Sequence, residues 1–79
     1  MSEMEIRKKI LAELVKEYGY SRNQIREDVT FTDTDGIKHQ VDLVVYKSPQ
    51  KKEPRIIVEI KKRLLLPFAV QYSITVSSV

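Results

Sequence analysis

Two carboxylates and one lysine stand in strand-like stretches of the sequence, where their side chains can act together. Asp42 lies within QVDLVVY, and Glu59 and Lys61 lie within RIIVEIK. Residues two apart in a strand point to the same face, so Glu59 and Lys61 emerge together while Ile56, Val58 and Ile60 face a core. Two carboxylates and an ammonium group at one point can hold a hard divalent cation and orient a water for attack on a phosphodiester.

An ordinary solvated sheet face is the other interpretation of the same residues. Glu and Lys are common on exposed strands, so an E-x-K pattern alone has low specificity. Asp42 favours a site, because aspartate is disfavoured between Val41 and Leu43 in a strand of β-branched and apolar residues. A lone carboxylate buried there would need a partner. The residues alone leave both interpretations open.

Composition limits the classes of protein that fit. The 79 residues are enough for one small domain, and 14 basic against 11 acidic side chains give a net charge of +3. This charge favours polyanions only weakly. The absence of cysteine excludes a disulfide framework and a thiolate metal site, and the single histidine, His39, excludes a histidine-rich zinc site. His39 is expected to be an exposed edge residue. No apolar run of about 18 residues occurs, which predicts a soluble cytoplasmic protein without membrane contact.

The first element expected is a helix. Ser2 to Glu5 has the S-x-x-E form of a capping box, and Gly19 is a suitable residue to end a helix. Between them one apolar stripe recurs at helical spacing, formed by Ile6, Ile10, Leu11, Leu14, Val15 and Tyr18. The pattern predicts a helix over about residues 3–18.

The next segments alternate in the manner of strands. Ser21 to Gln24 repeats the capping pattern, and Asp33 to Gly36 carries hairpin-turn residues. The predicted elements are a helical turn over about 22–27 and strands over about 28–32, 37–46 and 55–61. This order predicts a single α/β or α+β domain over residues 1–79, with the helix packed on a small mixed sheet that contains a hairpin.

The carboxyl-terminal segment, residues 64–79, has no predicted element. Its sixteen residues carry no charged side chain and include Pro67. A three-stranded sheet under one helix would leave this segment to be buried elsewhere. It therefore predicts a homodimer whose interface includes residues 64–79.

Over about residues 3–63 the sequence resembles the PD-(D/E)xK nuclease superfamily. The most specific match is Asp42 in VDLVVY followed by Glu59-x-Lys61 in IIVEIK. The nearest resemblance is to the amino-terminal nuclease domain of type I restriction enzyme R subunits and their stand-alone relatives. Glu3-Met4-Glu5-Ile6-Arg7 matches their E-x-E-x-R helix, and Gly19-Tyr20 matches the Gly-Tyr that follows it.

This resemblance implies a restriction-endonuclease-like fold and a Mg²⁺- or Mn²⁺-dependent endonuclease acting on DNA. Asp42 and Glu59 would be metal ligands, with the Ile60 carbonyl as a third oxygen, and Lys61 would hold the attacking water. Glu5, with Glu3 behind it, would act through water. Other restriction-modification subunits are implied as partners. Basic residues that could contact DNA phosphates, or form only a solvated surface, are Lys51, Lys52, Arg55, Lys61, Lys62 and Arg63.

The chain also departs from that family pattern. Gln40 stands where a basic residue usually precedes the aspartate. After the lysine, members continue with a helix carrying Q-x-x-x-Y, whereas Gln71 is followed at once by Tyr72 and four positions later by Thr75. The carboxyl-terminal part of the core is therefore expected to be incomplete. The resemblance also implies an alternative to the homodimer: residues 64–79 would complete the core of a single chain if they formed the missing helix and strand. An alternative function follows: an inactive nuclease-like remnant that binds nucleic acid or a protein without cleavage.

Overall fold

The computed structural model describes residues 2–65 and 69–79. Its elements are α1 (Glu3–Lys16), a 3₁₀ turn (Arg22–Gln24), β1 (Ile25–Thr32), β2 (Lys38–Tyr46), β3 (Pro54–Leu65) and β4 (Ala69–Ser78). The four strands form one sheet in the order β1-β2-β3-β4, and all neighbours are antiparallel. The expected α+β class is confirmed. The prediction of a mixed sheet is wrong, because each strand pairs with the strand that follows it in sequence.

Helix α1 begins as the sequence predicts. The Ser2 hydroxyl oxygen accepts the backbone N–H of Glu5 at 3.2 Å and so satisfies one of the free donors of the first turn. The predicted apolar stripe faces the sheet: Leu14 is buried, and the half-buried residues beside it are Ile6, Ile10, Leu11 and Val15.

The helix ends at Lys16, two residues before the predicted boundary. The backbone N–H of Tyr20 donates to the Leu14 carbonyl at 3.1 Å, and Gly19 adopts φ +75°, so the chain turns away from the helix axis here. Tyr18 consequently leaves the stripe and is 71% exposed, which corrects its assignment to the apolar face.

Apolar side chains pack on both faces of the sheet. On the helix side, Leu14 contacts a buried cluster contributed by three strands: Ile25, Leu43, Val45 and Val58. On the other side a second cluster is formed by Val41, Val44 and Tyr46, with Val29 and Ile57 packed against it. The core therefore centres on β2, which has a strand on either side.

Several strand boundaries differ from those predicted. β1 begins at Ile25, so the expected helical turn over 22–27 is confined to Arg22–Gln24. β3 continues to Leu65, beyond the expected end at 61. The hairpin turn between β1 and β2 is confirmed: Gly36 adopts φ +82°, and its N–H donates to the Asp33 carbonyl at 3.1 Å.

The carboxyl-terminal segment supplies a fourth strand. β4 pairs with β3 along its whole length: Ala69 is the partner of Leu65 at one end, and Ser78 is the partner of Ile56 at the other. Gln71 and Tyr72 therefore lie in a strand rather than in the helix that the family pattern would require. The expectation of an incomplete sheet of three strands is corrected, because this segment extends the sheet. Among the described residues, no helix is long and apolar enough to cross a membrane.

Candidate functional site

Asp42 lies where β2 and β3 stop pairing. The last backbone partners between these strands are Leu43 and Val58. Beyond them the backbone N–H of Ile60 donates to Asp42 Oδ2 at 2.7 Å, so a side-chain oxygen takes the place of a ladder carbonyl. Ile60 is the middle residue of Glu59-Ile60-Lys61. The fold therefore brings the Asp42 carboxylate into contact with the backbone of the E-x-K segment.

Arg7 of α1 holds the other oxygen of Asp42. Its Nη2 donates to Asp42 Oδ1 at 2.7 Å, a short bond of the charge-assisted kind. The Arg7 and Asp42 side chains are 19% and 17% exposed. Because so little water reaches this pair, the bond fixes the carboxylate more firmly than a surface ion pair would.

Asp28 of β1 completes the junction. In the β1–β2 ladder, Glu27 pairs with Leu43 and Val29 pairs with Val41. Asp28 therefore lies opposite Asp42. Two like charges directly opposite each other in a ladder repel. Asp28 instead adopts φ +53°, and Arg7 Nη1 donates to its Oδ2 at 3.0 Å. Aspartate tolerates this left-handed conformation better than most residues do. One guanidinium thus bridges the two carboxylates.

The charge of Arg7 is correspondingly secure. The hydrogen bond to Asp28, reinforced by the hydrogen bond to Asp42, raises the pKa of Arg7 above its usual value, against the opposing effect of burial. Arg7 therefore stays cationic at any working pH. The Arg7 side chain thus supplies a positive charge that links α1 to β1 and β2 as a charge bridge.

Glu59 and Lys61 occupy the face of β3 predicted from the sequence. Val58 and Ile60 are 1% and 6% exposed, whereas Glu59 is half-buried and Lys61 is exposed. Strand alternation places Glu59 and Lys61 together on the face opposite Val58. Among the described residues, neither side chain takes part in a hydrogen bond or ion pair of the structure. Both are therefore available to a ligand.

A comparison with protein families decides the relationship of the chain. A model of the type I restriction enzyme R protein N terminus (HSDR_N) matches residues 2–76. The chain belongs to this family. No curated protein and no solved structure matches the chain. The family assignment suggests a restriction-type role and confirms the expected relationship to the amino-terminal domain of type I restriction enzyme R subunits.

The helix glutamates of this family member differ in environment. Glu5 is exposed, and its backbone N–H is used in the Ser2 cap. Glu3 is half-buried and lines a surface depression together with Arg7. Of the two residues, Glu3 is thus the one that lies beside Arg7. The assignment of a water-mediated role to Glu5 stays a prediction.

The basic residues singled out from the sequence separate into two groups. Lys51 and Lys52 lie in the loop between β2 and β3, where Lys51 adopts φ +58°. On β3, alternation places Arg55 and Arg63 on the face of Glu59 and Lys61, and Lys62 on the helix side. Their contact with DNA stays a prediction.

Arg7 is the residue that the sequence did not identify as part of a site. Its signal was present as the last position of the E-x-E-x-R match. Its role depends on contacts with residues 21 and 35 positions away, which no local pattern reveals.

The carboxylate oxygens of Asp42 are of the ligand type that Mg²⁺ prefers. Each Asp42 oxygen accepts one hydrogen bond, so roughly half of the carboxylate's four lone-pair positions stay open. Within residues 2–65 and 69–79 there is no group of three or more Asp, Glu, His or Cys placed to hold an ion. Mg²⁺ commonly uses one or two carboxylates, waters and substrate phosphates instead of such a group. The positive charge of Arg7, which already pairs with Asp42, opposes the binding of a cation here.

Proposed function

We propose that this domain is a restriction-type endonuclease module of the PD-(D/E)xK kind, with the restriction-endonuclease-like fold, which hydrolyses DNA phosphodiester bonds with Mg²⁺ or Mn²⁺. The observation that carries the proposal is the 2.7 Å hydrogen bond from the Ile60 N–H to Asp42. It draws the aspartate of one strand to the E-x-K segment of the next, although the two are 18 positions apart in sequence.

Each residue of this set has a task that its chemistry allows. Asp42, Glu59 and the Ile60 carbonyl would hold the cation, and bound Mg²⁺ would supply Lewis-acid stabilisation of the charge that develops on the phosphate. Lys61 would orient the attacking water and offset that charge. The water oxygen forms a bond to phosphorus as the P–O ester bond breaks, leaving a phosphate monoester and a hydroxyl end. Glu5, or Glu3 beside Arg7, would act through an intervening water.

DNA is the partner that the family and the charge distribution favour. Arg55 and Arg63 share the Glu59 face of β3, whereas Lys62 lies on the helix side of that strand, and Lys51 and Lys52 lie in the loop that precedes it. Such side chains would bind backbone phosphates without reading sequence. Membership of the R protein family also suggests other restriction-modification subunits as partners.

A second function is favoured by the Arg7–Asp42 ion pair. A guanidinium at 2.7 Å already neutralises the carboxylate that a metal would need. If that pair persists in the working state, the domain would bind nucleic acid or protein without cleaving DNA.

Nicking of supercoiled plasmid with Mg²⁺ or Mn²⁺ separates the two functions. The variants are Glu59→Gln and Lys61→Ala, because these side chains make no bond that supports the described fold. Nuclease activity should fall by about 100-fold or more in each, since each removes a charged group at the reacting phosphate. Lys38→Ala is the matched control: Lys38 is also an exposed strand lysine, but it lies at the start of β2.

Each outcome of the nicking assay supports or contradicts one of the two functions. Equal background nicking by wild type and all three variants would contradict the nuclease. Binding of the same plasmid with a steep dependence on salt, but without cleavage, would support the binding module. Loss of activity in Lys38→Ala as severe as in Lys61→Ala would show that general charge, rather than the E-x-K site, is responsible.

A further inference from the structure

The outer edge of β4 is an open row of backbone hydrogen-bonding groups. β4 pairs with β3 on one side, and no strand among residues 2–65 and 69–79 pairs with its other side. The strand is ten residues long and contains neither a charged residue nor a proline. A long uncharged edge of this kind readily accepts another strand.

The opposite edge of the same sheet is protected. β1 carries three consecutive charged residues, Arg26, Glu27 and Asp28, and Asp28 breaks the regular strand with its φ of +53°. Charges and backbone irregularities are the usual means by which edge strands avoid pairing. The absence of both from β4 therefore distinguishes the two edges of one sheet.

The helix-side face of β4 is also apolar. Ile74 and Val76 are 48% and 63% exposed, although both stand beside buried β3 residues. With Ile10 and Leu14 of α1 and with Val58 they line an open groove of about 330 Å³. The alternate β4 residues on the other face, Gln71, Ser73, Thr75 and Ser77, are polar but uncharged.

We infer that β4 is a docking edge for a second copy of this chain, paired antiparallel about a two-fold axis normal to the sheet. The backbone edge requires a strand as occupant, and β4 itself meets that requirement without bringing like charges together. A two-fold axis in this direction places both α1 helices on the same side of a continuous sheet. The two apolar grooves then meet and can close on one another.

Charge at the rim of the groove agrees with this occupant. Glu13 of α1 lines this groove, and Lys9 lies with it in an adjoining depression beside Tyr72 and Ile74. In a two-fold contact a residue pair is repeated with the roles exchanged, so Lys9 can face Glu13 of the second copy and Glu13 can face Lys9. The inference concerns a different surface from the Asp42 site and does not depend on nuclease activity.

Sedimentation velocity of the full chain from about 1 to about 100 µM tests the contact, because association depends on concentration. The wild type should move from monomer towards dimer over this range. Ile74→Lys places a charge in the groove of both copies and should weaken dimerisation by about 100-fold, about ten-fold for each copy. The matched control is Ile37→Lys: Ile37 is the same residue type and is 57% exposed, but it lies in the β1–β2 turn. It should dimerise like the wild type.

Hydrogen–deuterium exchange of the wild type tests the same contact without a substitution. Amides of β4 should become more protected as concentration rises, while those of β1 should not change. A wild type that is strictly monomeric at about 100 µM would overturn the inference and favour a strand of another protein, or of a longer polypeptide, as the occupant. Unchanged dimerisation of a folded Ile74→Lys, or protection that rises in β1 instead of β4, would overturn it equally.

Discussion

The two halves of the sheet treat charge and apolar surface in opposite ways. Around β1 and β2, ionic side chains are paired with one another through Arg7, and Leu43 and Val45 are fully buried. On β4 there is no charged residue, and the apolar side chains Val70, Ile74 and Val76 are between 48% and 63% exposed. The contrast suggests that side-chain contacts in the first half are completed within one chain, whereas those of β4 are not.

The physical cause is the position of the strands relative to the helix. β2 lies between two strands, and its apolar residues have partners on both faces. Helix α1 reaches β3 but leaves the groove beside β4 open. A small domain with one helix cannot cover four strands, so its last strand gains backbone bonds without side-chain burial.

The largest effect is expected from breaking the charge bridge. Arg7→Met keeps the apolar stem but leaves Asp28 and Asp42 facing each other without a cation. Breaking a fully buried pair from one side costs about 3–5 kcal/mol. Because the Arg7 and Asp42 side chains are each roughly a fifth exposed, we expect a loss of about 2–3 kcal/mol in the free energy of unfolding, measured with urea.

Arg22→Met is the matched control for that loss. Arg22 donates to Glu27 at 3.0 Å and to the backbone carbonyl of Ile25 at 2.9 Å, but its side chain is 53% exposed. Its removal should cost about 1 kcal/mol, which is less than the loss expected for Arg7→Met. Adding Asp42→Asn to Arg7→Met should recover part of the loss, since it removes one of the two unpaired charges. Similar costs for Arg7→Met and Arg22→Met would show that the bridge is no more than a surface ion pair.

A second prediction compares two valines that face each other across β3 and β4. Val58 and Val76 are direct partners in the ladder, yet one is 1% and the other 63% exposed. Val58→Ala should lower the free energy of unfolding by about 2 kcal/mol through lost burial and the cavity left behind. Val76→Ala should cost less than about 0.5 kcal/mol in dilute protein.

Equal costs for the two valine substitutions at every protein concentration would contradict this asymmetry. They would mean that the β4 face is covered within a single chain. A cost of Val76→Ala that grows with concentration would instead connect this prediction with the proposed docking edge.

The sequence was informative where local rules decide the outcome. Ser2 capped a helix and Gly36 turned a hairpin because each acts through its own neighbours. β4 also carried a local signal, since Val70, Tyr72, Ile74 and Val76 alternate with uncharged polar residues. Pro67 and the missing charges obscured that signal. The absence of any charged residue suggested burial rather than an exposed edge.

The charge bridge could not be derived in the same way. Asp42 was expected to need a partner, but its partner depended on which helix residue would lie over the point where β2 and β3 separate. Arg7, Asp28 and Asp42 meet only after α1, β1 and β2 have packed. Similarly, no local pattern indicated the left-handed conformation of Asp28, which stands opposite Asp42 in a register set by the whole hairpin.

The smallest effect is expected at the β1–β2 turn, where the Asp33 carboxylate forms hydrogen bonds close to the surface. Asp33 Oδ2 lies 2.7 Å from His39 Nε2, and its Oδ1 accepts the backbone N–H groups of Ile37 and Asp35. The hydrogen bond with His39, and then that with Ile37, lowers the pKa of Asp33 below its usual value of 3.8. A carboxyl group whose pKa is lower in the folded state stabilises the fold above its unfolded pKa. That contribution is lost as the pH falls through the folded value.

Asp33→Asn isolates this charge, because the amide oxygen can still accept backbone N–H groups. The variant should be slightly less stable than the wild type at about pH 7, and the difference should shrink as the pH falls through the lowered pKa of Asp33. The difference should also shrink in high salt, since the pair is exposed to solvent. Asp35→Asn is the control: the Asp35 side chain makes no hydrogen bond among the described residues, so its effect should not vary with pH in this way. A wild-type advantage that persists unchanged at about pH 2 would show that Asp33 acts through turn geometry rather than through its charge.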